Sequence, residues 1–416
     1  MNQRFYCPLP WMHLHVNKRG DYKICCIDET SESKLINEKG SVIKANLGKS
    51  PKEIFNSPTL KGVRRSFLEG EWPKQCRRCK DEEINNCISR RQVELNYRDE
   101  QIQDLLDHTD RDGSLRKIHL KELDLRLGNK CNCACRMCSP QSSLKTFQHW
   151  NAVVSPELQI SKEEEIKLRS IAWFDSKVFV ESLQDKYDEL EQIHFAGGES
   201  LISTTMPRIL ESMVNCGRAS HISLSYNTNF SDFPESLWAL WAKFKRVKFL
   251  ISIDGVGELN EYIRLGCSWE KLEKNLLKLH EFCENHPQTE VIFFTVAQAY
   301  NVLGIKDLIL YLKNYPHFVS VPHFTVIHEP SFLRLSVIPF SEREELKKHI
   351  EEAYHLCDGL LPEHYEYLRN NIKDILRSLE EDDTHLFSEF LNYTKKLDQI
   401  YSLSTEKNLS FLKKYF

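Results

Sequence analysis

Four cysteines crowd into eight positions of the segment KCNCACRMCSP, at Cys131, Cys133, Cys135 and Cys138. Cys131, Cys135 and Cys138 follow the spacing C-x3-C-x2-C. Three thiolates in one short loop hold three irons of a [4Fe-4S] cubane, whereas full closure needs four. The fourth iron then stays open for a substrate or cofactor. Cys133, between the ligands, is expected to turn away. The alternative is zinc, held by all four cysteines as a closed tetrahedral site. Zinc sites usually pair their cysteines as C-x2-4-C knuckles, which this spacing fits poorly.

A second set lies upstream, at Cys7, Cys25, Cys26, Cys76, Cys79 and Cys87. From Cys7 the chain reads C-x12-G-x4-C, with Gly20 inside the turn NKRGDY and Cys25 closing YKIC. The glycine lets a hairpin reverse and brings two cysteines together. QCRRC later supplies Cys76 and Cys79 as a C-x2-C knuckle. Two plus two makes a closed four-thiolate site, for zinc or for an iron–sulfur cluster. Cys26 is an alternative to Cys25, and Cys87 is spare. Cys216, Cys267, Cys283 and Cys357 have no partner pattern and read as core or surface thiols.

The composition limits what these cysteines do. Ten of the 14 precede residue 139, so they are clustered. The start, MNQRFYCPLPWMHLHV, lacks the features of a secretory signal, and no apolar run approaches the roughly 20 residues that span a bilayer. A cytoplasmic protein without membrane attachment is expected, and a reducing compartment disfavours structural disulfides. The net charge of −4 supplies no global field for nucleic acid. Hydrophobic residues at 41% leave ample material for a core, and 416 residues suggest two or three units.

The elements that must position the cysteines follow from pattern. Residues 1–95 are cysteine-rich, with short strand-like pieces and turns, and residues 96–116 form a charged, helical linker. From 117 to 335 six apolar or alternating runs (HLKELDLRL, QIHFAGG, HISLSYN, VKFLISIDG, VIFFTVAQ and HFTVIHE) alternate with helix-like segments. This predicts an α/β fold, a partial (β/α)6 TIM-like barrel with a small cysteine-rich N-terminal domain. Residues 336–416 read as a helical C-terminal region. Working residues of such sheets sit at the C-terminal ends of strands. The cysteine loop lies there, directly after LDLRLG.

Other landmarks follow later strands. Gly197-Gly198-Glu199 comes after the second, and Asn227 and Asn229 come at the end of the third. Ser252-Ile253-Asp254-Gly255 follows the fourth, where strand alternation points Ser252 and Asp254 to one face. Arg264 stands in NEYIR. Taken in order, these residues and the cysteine loop resemble the radical S-adenosylmethionine (radical SAM) enzymes, over about residues 117 to 330. The resemblance implies that Cys131, Cys135 and Cys138 bind an open [4Fe-4S] cluster. It implies S-adenosylmethionine held by Gly197, Gly198, Glu199, Asn227, Asn229, Ser252, Asp254 and Arg264. Met137 stands where many relatives carry an aromatic residue, and its backbone would contact the adenine. The N-terminal set resembles the twitch form of the SPASM extension, which implies an auxiliary [4Fe-4S] cluster on Cys7, Cys25, Cys76 and Cys79. Relatives usually carry that extension after the barrel; here it comes first.

By this resemblance the protein would cleave S-adenosylmethionine reductively to a 5′-deoxyadenosyl radical that removes a hydrogen atom from substrate. Oxidative modification of a ribosomally made peptide or protein is the first expectation. The alternative is dehydrogenation or rearrangement of a small polar alcohol, sugar or nucleotide. A non-enzymatic electron carrier or metal scaffold is a third reading, against which the intact landmarks speak. An external donor such as flavodoxin or ferredoxin would supply electrons. Tyr226, and His323, His328 and Glu329 in PHFTVIHEP, are candidates for substrate contact. His13 and His15 alternate in WMHLHV and read mostly as packed or solvated.

Overall fold

The computed structural model describes residues 6–27, 31–84, 88–98, 102–184, 186–313, 323–356 and 362–416. Cys87 and Cys357 lie outside the described residues. Eight strands are ordered β2-β1-β3-β4-β5-β6-β7-β8 in one sheet. They are β1 (His13–Val16), β2 (Tyr22–Lys23), β3 (Glu122–Arg126), β4 (Gln192–Ala196), β5 (Ser223–Thr228), β6 (Arg246–Ser252), β7 (Thr289–Ala297) and β8 (His323–Val326). β3 to β8 are the six runs expected of the partial barrel. The two further strands come from the cysteine-rich N-terminus. β1 pairs antiparallel with β2 and parallel with β3. Helices fill the chain between the strands, and the C-terminal region is helical over Phe340–His355, Pro362–Ser378 and Phe387–Tyr401. The fold is α/β, as the alternation predicted.

The chain divides into two compact units. The first comprises Met1–Gly128, Ile171–Ser225 and Ala239–Arg246. Its hairpin turns at Gly20, whose φ of +80° is a left-handed conformation that side chains resist. A Cβ there would also lie 2.6 Å from the Trp173 ring. Registers place His13 opposite Glu122, His15 opposite Asp124, and Asp124 opposite His194. One sheet face therefore carries Leu123, Leu125, Ile193 and Phe195, all fully buried. The other face carries the charged and imidazole side chains. Arg64, also fully buried, donates to the carbonyls of Pro10, Phe55 and Gly113 at 2.6–2.7 Å and fixes the turn leading into β1.

The second unit comprises Asn129–Ser170, Tyr226–Trp238 and Val247–Phe416. β6, β7 and β8 pair in parallel there. Tyr226, Phe230, Phe233, Phe249 and Phe282 form an aromatic core. Each such buried ring contributes about 2 kcal/mol over its exposed state. The helix Trp269–Asn285 starts on a Ser268 side-chain cap and buries Leu272, Leu276, Leu279 and Phe282 at helical spacing.

Candidate functional site

In the first unit Cys7, Cys25, Cys76 and Cys79 line one cleft. Cys7 precedes the short helix Leu9–Met12 and Cys25 follows β2. Cys76 ends a 3-10 turn, and Cys79 sits in the helix Arg77–Ile84. Arg91 ties these segments together. It donates to the carbonyl of Tyr6 at 3.1 Å and to Glu83, on the Cys79 helix, at 2.7–2.8 Å. Burial, then the charges of Cys76, Cys25 and Cys79, pushes the Cys7 thiol well above its ordinary range. Four thiols crowded this way resist ionising together, and a cationic centre reverses that preference. The donor set therefore fits a metal cluster.

Cys26 does not line the cleft. Its thiol is pushed up by burial and by the Asp124 carboxylate, and Arg126 lies beside it. Of the two neighbouring cysteines, only Cys25 is brought to the other three.

The polar face of the same unit is a site that sequence reasoning undervalued. His15 Nδ1 lies 3.0 Å from the Asp124 carboxylate, off the line of a hydrogen bond, and Arg126 Nε lies 3.0 Å from the same group. Burial alone would raise the Asp124 carboxyl, but Arg126 and His15 hold it well below its ordinary range. His194 Nδ1 meets Ser225 Oγ at 2.7 Å, and Arg98 bridges Glu94 and Glu122 at 3.3 and 2.8 Å. His13 is 2% exposed with its Nδ1 lacking a hydrogen-bond partner. Burial lowers its pKa to about 4, so it is neutral at pH 7. The signal was present in ELDLR, where charged residues occupy alternate positions of a strand.

Gly197-Gly198-Glu199 follows β4. Gly197 has φ +88°, and a Cβ on it would lie 2.7 Å from the Gly128 carbonyl oxygen and 2.9 Å from the Arg126 carbonyl carbon. Only glycine fits. Glu199 is 3% exposed, and its carboxylate accepts the Leu201 amide at 3.0 Å.

In the second unit the cysteine loop is held by backbone and side chain together. Ala134 and Arg136 donate their amides to Leu265 and Ile263 at 2.7 and 2.9 Å, and Ser143 Oγ donates to the Cys133 carbonyl at 2.6 Å. Cys131, Cys135, Met137 and Cys138 pack with Cys133 and Cys267 into one sulfur-rich group. The Asn229 amide donates to Asn132 at 2.8 Å and points at Cys131 Sγ at 3.7 Å. A hydrogen bond to Cys138 that holds the Cys135 proton, then burial, raises the Cys135 thiol well above its ordinary range. These thiols again suit a cationic cluster better than they suit one another. Among the described residues, no three His, Cys, Asp or Glu side chains converge on a single-ion position.

One expectation is corrected here. Cys133 and Cys267 form a disulfide, although disulfides were expected to be disfavoured and Cys267 to be unpartnered. The bonds to Ile263 and Leu265 lay that segment alongside the loop and bring the two Cα atoms to 5.7 Å. That distance suits a disulfide. A separation of 134 residues hid the pairing from the sequence. Cys216 is exposed and Cys283 half-buried, both free, as expected.

Asp254 and Arg264 pair at 2.7 Å, and Asp254 also accepts the Val296 amide at 2.9 Å. Burial pushes the Asp254 carboxyl up despite the guanidinium beside it. Ser252 ends β6, and Asn227 is exposed on β5. Tyr226 is fully buried with its ring stacked on Phe249. His323 packs on Phe294 at 4.2 Å, and burial lowers its pKa to about 4. His328 and Glu329 are exposed, and Glu329 lies 3.4 Å from Arg334. Of the four substrate candidates, Tyr226 is buried, His323 half-buried, and His328 and Glu329 exposed.

Residues 7–80 match the SPASM family, an iron–sulfur cluster-binding domain. A GTP 3′,8-cyclase of Syntrophomonas wolfei is 25% identical over 239 residues, which span 57% of this chain and 64% of the cyclase. The chain is therefore similar to a SPASM domain at its N-terminal end and to a GTP 3′,8-cyclase over 57% of its length. The SPASM-like match, to an iron–sulfur cluster-binding domain, lies at the N-terminal end and contains Cys7, Cys25, Cys76 and Cys79. The chain covers less than two thirds of the length of that curated relative. Among solved structures, anSMEcpe with bound AdoMet is 15% identical with a TM-score of 0.36, covering 60% of this chain and 62% of that one. Streptococcus suis SuiB is 13% identical with a TM-score of 0.35, covering 83% and 68%. Among the described residues, no helix is long and apolar enough to cross a membrane.

Proposed function

We propose that this protein is a radical SAM enzyme that uses Cys131, Cys135 and Cys138 to hold the cluster that S-adenosylmethionine meets, and Cys7, Cys25, Cys76 and Cys79 to hold an auxiliary cluster. The observation that carries the reading is the collection of four cysteines, spread from residue 7 to residue 79, on one cleft. When bound, the open cluster and S-adenosylmethionine supply a 5′-deoxyadenosyl radical that removes a hydrogen atom from substrate. Cys7, Cys25, Cys76 and Cys79 would hold a second cluster, which would supply either an acceptor for the electron of the substrate radical or a ligating site for substrate.

The protein's own residues do the holding. Asn229 directs an amide at Cys131 Sγ, a contact that tunes a cluster ligand. Gly197 leaves room for close backbone approach, which suits the expected contact of Gly197, Gly198 and Glu199 with the methionine part. Met137, Asn227, Ser252, Asp254 and Arg264 complete the proposed cofactor contacts. The buried face of Asp124, Arg126, His15 and His194 supplies hydrogen-bonding groups of a kind that a polar substrate uses. Flavodoxin or ferredoxin is the proposed electron donor, and the proposed setting is cytoplasmic.

A peptide or protein is the first substrate reading, supported by the SPASM-like domain. A nucleotide or another small polar molecule is the second, favoured by the relative whose name makes it a GTP cyclase. Anaerobic purification followed by iron and sulfide analysis tests the site assignment, with about eight irons per chain expected for two cubanes. One zinc and about four irons would remove the auxiliary cluster, and two zincs without cofactor cleavage would overturn the whole reading.

A further inference from the structure

Arg136 lies between Cys135 and Cys138 and is 0% exposed. Its Nε donates to the Tyr262 carbonyl at 2.7 Å, and its guanidinium carbon lies 3.7 Å over the Tyr262 ring and 5.2 Å from that of Tyr300. The charge is met by Asp398, on the helix Phe387–Tyr401. Asp398 also accepts the hydroxyls of Tyr262, at 3.0 Å, and Thr405. The same helix holds the loop a second time, because Tyr393 donates its hydroxyl to the Arg136 carbonyl at 2.7 Å. It braces the stacking ring as well, with Thr394 Oγ1 2.8 Å from the Tyr300 hydroxyl.

A buried guanidinium on a residue next in sequence to Cys135 has two consequences. It must have a counter-charge, since an unpaired buried charge is strongly destabilising. It also acts on redox chemistry, because net charge and polar contacts around a cluster set its potential. The other charge pair near Cys135, Arg264 with Asp254, is already closed at 2.7 Å.

We propose that Asp398 is a positioning residue for the cysteine loop, holding Arg136 and cancelling its charge. The potential of the loop's cluster is thereby set from a helix 262 residues away in sequence. The inference rests on the reading that Cys131, Cys135 and Cys138 hold a cluster. The test is an EPR-monitored redox titration of the full chain with both clusters loaded, following the signal that responds to added S-adenosylmethionine. D398N uncovers the positive charge and should shift the midpoint upward, because a cation favours the reduced, more negative cluster. R136Q should shift it downward, D398N/R136Q should return near wild type, and D398E should restore it. Should D398N fail to fold, R136Q and the double variant carry the same comparison. Iron loss in D398N with the remaining cluster at the wild-type midpoint would overturn the proposal and make Asp398 a packing residue. Unchanged iron and midpoint in both single variants would overturn it too. A wild-type chain with no S-adenosylmethionine-responsive signal would instead remove the underlying assignment.

Discussion

The two cysteine sites solve one problem by opposite means. The loop of Cys131, Cys135 and Cys138 has its thiols within eight residues, so chain connectivity already gathers them. What the fold adds is a frame: backbone bonds to Ile263 and Leu265, the disulfide to Cys267, and the Arg136–Asp398 pair. The N-terminal cleft has its thiols spread over three segments, and the fold itself must gather them. Its hairpin at Gly20 and the Arg91 bonds to Tyr6 and Glu83 do so. On the proposed assignment, a local ligand set depends on remote supports for its tuning, whereas a dispersed set depends on its supports for its existence.

The sharpest break of the comparison removes one ligand from each site. Cys135→Ala should abolish 5′-deoxyadenosine formation under a strong reductant and lower the iron content from about eight to about four per chain. Cys76→Ala should cost a similar amount of iron yet leave uncoupled cofactor cleavage, read as 5′-deoxyadenosine without product. If both variants lose cleavage alike, the two sites are not separable in the way proposed.

Next in size is the glycine loop of the first unit. Gly197→Ala forces a Cβ against backbone at 2.7 Å in a left-handed conformation, a strain of about 1–3 kcal/mol. Thermal denaturation should show a lowered Tm, and equilibrium dialysis should show weakened S-adenosylmethionine binding. A Tm at the wild-type value would show that the loop relaxes freely.

A third effect depends on pH. His13 has its pKa lowered to about 4, against an unfolded value near 6.5. The unfolded chain binds the extra proton between these values, so stability is full above about pH 6.5 and falls as pH drops toward 4. The full gap is worth about 3 kcal/mol. His13→Gln should flatten that slope in denaturant titrations at pH 7, 6 and 5, and an unchanged slope would remove His13 as its source. The smallest effect belongs to the choice between neighbours. Cys25→Ser should deplete the auxiliary iron, whereas Cys26→Ser should leave both iron content and cleavage within about a factor of two.

How much of this was legible depended on sequence distance. The six strands of the partial barrel were readable because apolar alternation repeats with helices between. The loop after LDLRLG stood out because its proposed ligands are neighbours in sequence. That Cys7 and Cys25 share one cleft was suggested through Gly20, but the place of Cys25 rather than Cys26 on it was not, since adjacent residues differ only in the direction the fold gives them. The entry of His13–Val16 into the sheet was hidden because HLHV gains its meaning only beside Glu122 and Asp124. Cys133 with Cys267 and Arg136 with Asp398 were illegible for the same reason, each being a pair without local pattern. Residue type alone also did not show that the fold places Tyr226 in an aromatic core and leaves His328 and Glu329 exposed.

The central claim is that the cysteine loop leaves one iron vacant for S-adenosylmethionine. Its most direct test is ENDOR on the reduced Cys76→Ala protein, with S-adenosylmethionine carrying a 15N label on its amino group. The account predicts hyperfine coupling between that nitrogen and the remaining cluster. A cluster retained in full, with no coupling to the label, would contradict it.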